Sequence, residues 1–118
     1  MQEESCPFDD VLSGASVAIA VKKNDTILLA STGAIKVCIV QLVEKDPTLW
    51  ELNEQHHTLD FSEVERIHRY GGEVRENNGK RCYVKGREYP GCVNTRGIGC
   101  KIGKAIGIVA KPIFRKYV

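Results

Sequence analysis

Long apolar runs are missing from this 118-residue chain. With them goes any segment of the ~20 residues that a helical bilayer crossing needs. The first ten residues, MQEESCPFDD, are acidic and lack the basic-then-apolar pattern of an export signal. A cytoplasmic protein with no membrane partner is the expectation. The five cysteines, Cys6, Cys38, Cys82, Cys92 and Cys100, include no C-x-x-C pair. An odd count without paired spacing argues against a disulfide framework or a zinc knuckle and for reduced thiols. Aromatic residues are scarce at 7%. Tyr83, Tyr89, Phe114 and Tyr117 are too scattered to build a stacking platform for bases, so nucleic acid is not an expected partner.

What is present suits one globular domain: 42% hydrophobic and 27% charged residues, enough for a modest core. The net charge of +2 conceals a split. Residues 80–118 hold ten Lys/Arg against one acid, Glu88, for a net of +9, and residues 1–79 hold seven against fourteen, for −7. Such a split can mark a phosphorylated or acidic partner for the basic half, or nucleic acid. The reading preferred here is that the two halves face each other in the fold.

Residues 1–13 read as a loose polar lead-in, with a domain over 14–118. From Ser16 the pattern is strand-like: Val17–Val21, a turn at Lys22–Asp25, then Thr26–Ala30. The near-continuous apolar content predicts strands covered on both faces. A third strand is expected over Lys36–Val43, giving an antiparallel meander. Glu44–His57, with Pro47 and Trp50, reads as irregular. The clearest helix covers about 61–70. Ser62 with Glu65, or Asp60 with Glu63, caps it, Phe61, Val64 and Ile67 or His68 recur at helical spacing, and Gly71-Gly72 ends it. Glu73–Arg75 and Arg81–Val84 flank Asn77-Asn78-Gly79 as a second hairpin. Tyr89-Pro90-Gly91 is a turn, and Ile106–Ala110 is a last strand stopped by Pro112. The order predicts an α+β fold built on antiparallel sheet.

The densest stretch is Tyr89–Pro112, with Gly97, Gly99, Gly103 and Gly107 beyond its Pro-Gly turn. It matches neither phosphate-binding signature. Ile102 stands where the dinucleotide fingerprint needs glycine, and Gly103-Lys104 is followed by Ala105 rather than Ser or Thr. His56, His57 and His68 lack a cysteine or acid at ligand spacing, and exposed or capping histidines are the simpler reading. Cys100 beside Lys101 and Lys104 could be an activated thiol, but no phosphatase Cys-x5-Arg loop follows it, and a structural cysteine is preferred.

Several segments, in order, resemble the metal-dependent protein Ser/Thr phosphatases of type 2C, the PPM family. Gly14–Ala18 is similar to the family's G-(S/T)-T-A, Leu29–Lys36 to V-A-N-V-G-D-S-R, and Leu52–His57 to L-T-x-D-H. Glu63–Val74 follows E-x-x-R-I-x-x-x-G-G-x-V. Arg81–Gly86, Pro90–Cys100, Lys104, Gly107–Val109, Pro112 and Ile113 follow the segment built on P-G-L-A-x-S-R-x-x-G-D. Gly33, Thr95, Arg96, Gly99 and Lys104 are the motif residues retained. The resemblance implies part of a β-sandwich of two antiparallel sheets. In the family it also implies two Mn²⁺ or Mg²⁺ ions, held by carboxylates, that activate a water.

The departures fall on the metal positions. Ala34 and Cys100 replace two aspartates, and Lys36 replaces an arginine. Further family ligands are expected before Gly14 and after Pro112. No metal ligand, no cofactor and no catalytic residue is therefore expected, and the implied role is that of a pseudophosphatase serving as a binding or scaffold module. A fragment of an active phosphatase is the alternative. An incomplete sandwich also predicts a protein partner or a dimer to cover it.

Overall fold

The computed structural model describes residues 7, 9–42 and 45–118. Ten short strands and two helices follow in chain order. β1 (Gly14–Ala15) pairs with β9 (Ile98–Gly99). β2 (Val17–Lys23) and β3 (Thr26–Thr32) form the expected hairpin, with Asn24 in the left-handed region at the turn. The third strand of this sheet is β10 (Ile113–Tyr117), giving the order β10-β3-β2. β4 (Cys38–Gln41) pairs instead with β5 (Thr48–Glu51), which sets Ile39 opposite Trp50. α1 (Phe61–Arg69) leads into a sheet of β6 (Gly72–Glu76), β7 (Lys80–Val84) and β8 (Pro90–Cys92). α2 (Lys101–Ala105) lies between β9 and β10.

The α+β class and the helix at 61–70 stand as expected; other details change. The third strand is shorter than expected and leaves the meander, because the segment read as irregular supplies it with a closer partner, β5. Val43 lies outside the described residues. Ile106–Ala110 is not a strand. Ile106 and Gly107 close the turn after α2, and Val109 makes a single bridge to Arg96. Pro112 does not end the sheet but precedes β10. Pro90, expected in a turn, opens β8 through a cis Tyr89–Pro90 bond. The lead-in is tied down over its last four residues, as the loop geometry below shows.

One cluster forms the core: Ile67 of α1, Cys82 of β7, and Ile106 and Ile108, with Val74, Val84 and Cys92 packed against it. Burying a side chain such as Ile67 contributes about 1.5–3 kcal/mol. Gly72 is needed beneath α1, since a Cβ there would lie 2.6 Å from Ile67 Cγ2. Asp60 caps α1 by accepting from the Ser62 amide at 3.0 Å. Phe61, expected on the inner face, is exposed, and the inner face is Glu63 and Ile67. The sheet β10-β3-β2 is covered on one face only. Leu29 and Ser31 are buried, while Ile19, Val21, Leu28 and Phe114 on the other face are exposed. The prediction that both faces are covered is thus corrected. Charges do cross between the halves: Arg96 to Glu63, Lys101 to Asp10 and Arg115 to Glu54.

Candidate functional site

The glycine-rich loop of the sequence is anchored at its first half by a buried carboxylate. Glu63 points inward from the first turn of α1 and receives both Arg66, one helical turn on, and Arg96 from the loop. Arg96 Nε donates to Oε1 at 2.8 Å and Nη2 to Oε2 at 3.2 Å, and Thr95 Oγ1 donates to Oε1 at 3.0 Å. Arg66 continues outward, with Nη2 donating to the Thr95 carbonyl at 2.6 Å and Nε to that of Gly107 at 2.8 Å. Burial pushes the Glu63 carboxyl up, but hydrogen bonds and charge from Arg66 and Arg96 outweigh it and hold the pKa at about 2. A fork of two guanidiniums on one carboxylate fixes orientation as well as charge. Thr95 and Arg96 are therefore positioned by the fold, with their polar atoms already engaged.

Gly33 meets the same loop from the end of β3, with Ala34 following it. The Gly33 amide donates to His56 Nδ1 at 3.0 Å, the His56 amide donates to the Gly33 carbonyl at 2.8 Å, and the Thr95 amide donates to the His56 carbonyl at 2.9 Å. Nδ1 accepts, so the imidazole proton sits on Nε2. Burial first, and then Arg96, lowers the His56 pKa and keeps the ring neutral. Gly33 has a φ of 106°, and a Cβ there would lie 2.2 Å from Ser16 Oγ and 2.9 Å from the Arg96 carbonyl. Only glycine fits. The Ala34 amide donates to Ser16 Oγ at 3.0 Å. His56, read from the sequence as exposed or capping, is instead a buried connector between β3 and the loop. Two adjacent histidines gave no sign of which would be buried. His57 does serve locally, accepting from the Leu59 amide at 3.1 Å.

The second half of the loop turns through Gly99 (φ 71°) and Cys100 (φ 49°) into α2. The opening amides of α2 have no side-chain cap. Carbonyls of the preceding segment satisfy them instead: Cys100 donates to Ser13 at 2.6 Å, Lys101 to Asp10 at 3.0 Å and Ile102 to Val11 at 3.1 Å. Lys104 Nζ reaches back to the Gly97 carbonyl at 2.8 Å. Cys100 is buried, and with Cys92, Gly97 and Lys104 it lines a pocket of about 110 Å³. Burial and then Cys100 push the Cys92 thiol up to about 11, and burial lowers Lys104.

The structure thus brings Gly33, Thr95 and Arg96 into one hydrogen-bonded unit through His56 and Glu63, with Ala34 tied separately to Ser16, and joins Gly97, Gly99, Cys100 and Lys104 as its continuation. The donor set does not fit a pair of hard dications. Ala34 offers a methyl and Cys100 a buried soft sulfur, while the buried carboxylate of Glu63 is engaged by two arginines. Among the described residues no three His, Cys, Asp or Glu side chains are grouped to hold a metal. No helix among them is long and apolar enough to cross a membrane.

No curated protein matches the chain. Among solved structures, it superposes on the serine-threonine phosphatase 2C from Toxoplasma gondii with a TM-score of 0.77 at 18% identity. The match covers 92% of this chain and 38% of that one. At that identity the likeness establishes the fold. The sequence itself matches the family model described as protein phosphatase 2C over residues 2–113. With nearly the whole length matched, this chain belongs to the protein phosphatase 2C family.

Proposed function

We propose that this chain is a pseudophosphatase, a type 2C phosphatase fold that binds and scaffolds rather than hydrolyses. The observation that carries this reading is the pair of substitutions at Ala34 and Cys100, where the family resemblance implies aspartates. Flanking sequence can add ligands elsewhere but cannot turn a methyl or a buried thiol into a hard oxygen donor. The exposed apolar face of β2, β3 and β10 supports a protein partner, or a second copy, as what the module holds. Mn²⁺ and Mg²⁺ have no part in this role.

A second reading, a fragment of an active phosphatase, is favoured by one fact: the chain spans 38% of the Toxoplasma gondii phosphatase chain. Hydrolysis of p-nitrophenyl phosphate with Mn²⁺ separates the two. The binding-module reading expects turnover at the blank level with and without metal, for this chain and for any longer polypeptide carrying it. Metal-dependent turnover abolished by EDTA would overturn it. Calorimetric titration with Mn²⁺ is the companion measurement, and tight two-site binding would contradict the donor-set argument directly.

A further inference from the structure

The outer face of β2, β3 and β10 differs from one end to the other. Register sets Ile19, Ala30 and Phe114 in one row across the three strands, and Val21, Leu28 and Lys116 in the next. Beyond that row Lys23 stands opposite Thr26, and at the far end Val17 stands opposite Thr32. Residues two apart along a strand share a face, so two lysines mark one end of an apolar strip. Both are exposed, and neither has an ion-pair partner among the described residues. No acid stands on this face, and Asp25 lies in the turn beyond the ladder. The far end holds a different unmet demand. Thr32 is 5% exposed, and its hydroxyl is buried without a hydrogen-bond partner. Two cavities, of about 360 and 200 Å³, share Ile19 and Ala30; Lys116 lines the first and Thr32 the second.

We propose that this face seats an acidic amphipathic helix of a partner protein, its acids at Lys23 and Lys116 and a polar side chain at Thr32. The proposal rests on the reading of the chain as a binding module. The strip suits that occupant in size. From Val17 to Lys23 the strand covers about 20 Å, the length of a helix of about 14 residues. β2 and β10 flank β3, giving a width of about 10 Å, close to the diameter of a helix. Charge and hydrogen bonding select among occupants. A second copy brings the same two lysines and no acid on this face, so stacking sets each pair against the other or against apolar rows. A lipid surface would take the lysines at its headgroups and leave the Thr32 hydroxyl, at the opposite end, unpaired. A helix with an apolar stripe, acids at one end and a hydrogen-bonding group at the other meets all three demands.

The test is fluorescence anisotropy of the full chain with a labelled peptide of about 15 residues. It carries glutamates in its first turn, leucines at i, i+3, i+4 and i+7 spacing, and an asparagine in its last turn. A second peptide has lysine in place of glutamate, and a third scrambles the order of the first. The first should bind with a gain in helicity by circular dichroism, and the other two about tenfold more weakly or worse. Lys23→Glu with Lys116→Glu should reverse the preference between the first two, and Ile19→Ser with Phe114→Ser should abolish binding of both. Thr32→Val should weaken the first peptide several-fold, and an unchanged affinity there would overturn the assignment of the polar end. No binding, equal affinity for the acidic and basic peptides, or a preference indifferent to the charge reversal would overturn the proposal. So would a dimer in sedimentation that Ile19→Ser with Phe114→Ser dissolves, or tighter binding to phosphatidylserine vesicles than to the peptide. Binding lost in a longer polypeptide carrying this chain would mean that its own segment fills the face, and would overturn a separate partner. Failure of the peptide with p-nitrophenyl phosphate turnover still at the blank level sinks this proposal alone and leaves the pseudophosphatase reading intact. Metal-dependent turnover beside a bound peptide does the reverse.

Discussion

Around Glu63, both carboxylate oxygens are bonded and the charges of two arginines are spent on one acid. Across the outer face of β2, β3 and β10, Ile19, Val21, Leu28 and Phe114 meet solvent with nothing packed on them among the described residues. The first region is closed upon itself, and its specificity is internal. The second is unfinished, and its free energy is available to something else. The motif residues Thr95 and Arg96 fall in the closed region, where their polar atoms hold the loop to α1.

The strongest way to break this contrast is to open the closed side. Glu63→Gln leaves two buried guanidiniums facing a neutral amide, and loss of one partner of a buried pair costs about 3–5 kcal/mol. Denaturant unfolding should show that loss, and a variant within 1 kcal/mol of wild type would mean the clamp is ornamental, against the about 3–5 kcal/mol expected. Acid reads the same clamp without mutation. The Glu63 pKa of about 2 in the folded chain lies below the ordinary 4.5. Its contribution is therefore complete above about 4.5 and is lost as pH falls toward 2, a span worth about 3 kcal/mol. The unfolding midpoint should drop through that window, and less so in Glu63→Gln. The smallest effect on folding belongs to the open side. Ile19→Ser with Phe114→Ser should change unfolding by about 0.5 kcal/mol or less, yet reduce binding of a hydrophobic dye and any self-association seen by sedimentation. A large loss of stability there would show that the face is already covered.

The parts of this architecture that were legible in the sequence are those fixed by neighbours along the chain. Asn24 and the Asn78-Gly79 pair impose positive φ at tight turns, which sets both hairpins. Asp60 and Gly71 bracket α1 within a dozen residues. The illegible parts depend on distant partners. Glu63 reads as the capping-box partner of Asp60 three positions before it, whereas Arg96, thirty-three positions on, decides its role. β5 is four residues after Pro47, too short for alternation to register, and is identified by its pairing with β4. α2 is five residues with a glycine inside, below any helical periodicity. Gly103 is there because a Cβ would lie 3.0 Å from Cys100 Sγ and 3.1 Å from Ile108 Cδ1. At the candidate site, Ala34 and Cys100 were visible as letters, but the His56 connector needed coordinates.

The segment Asp10–Ser13 grips α2 through its own carbonyls, and a carbonyl is the same whatever side chain accompanies it. Its grip is therefore blind to composition and sensitive to spacing. Substitutions at Asp10 or Val11 can accumulate with little effect on where Cys100 sits. Deleting one residue between Asp10 and Gly14 would shift every acceptor off its donor at once. In this part of the molecule the heritable quantity is a length rather than a sequence.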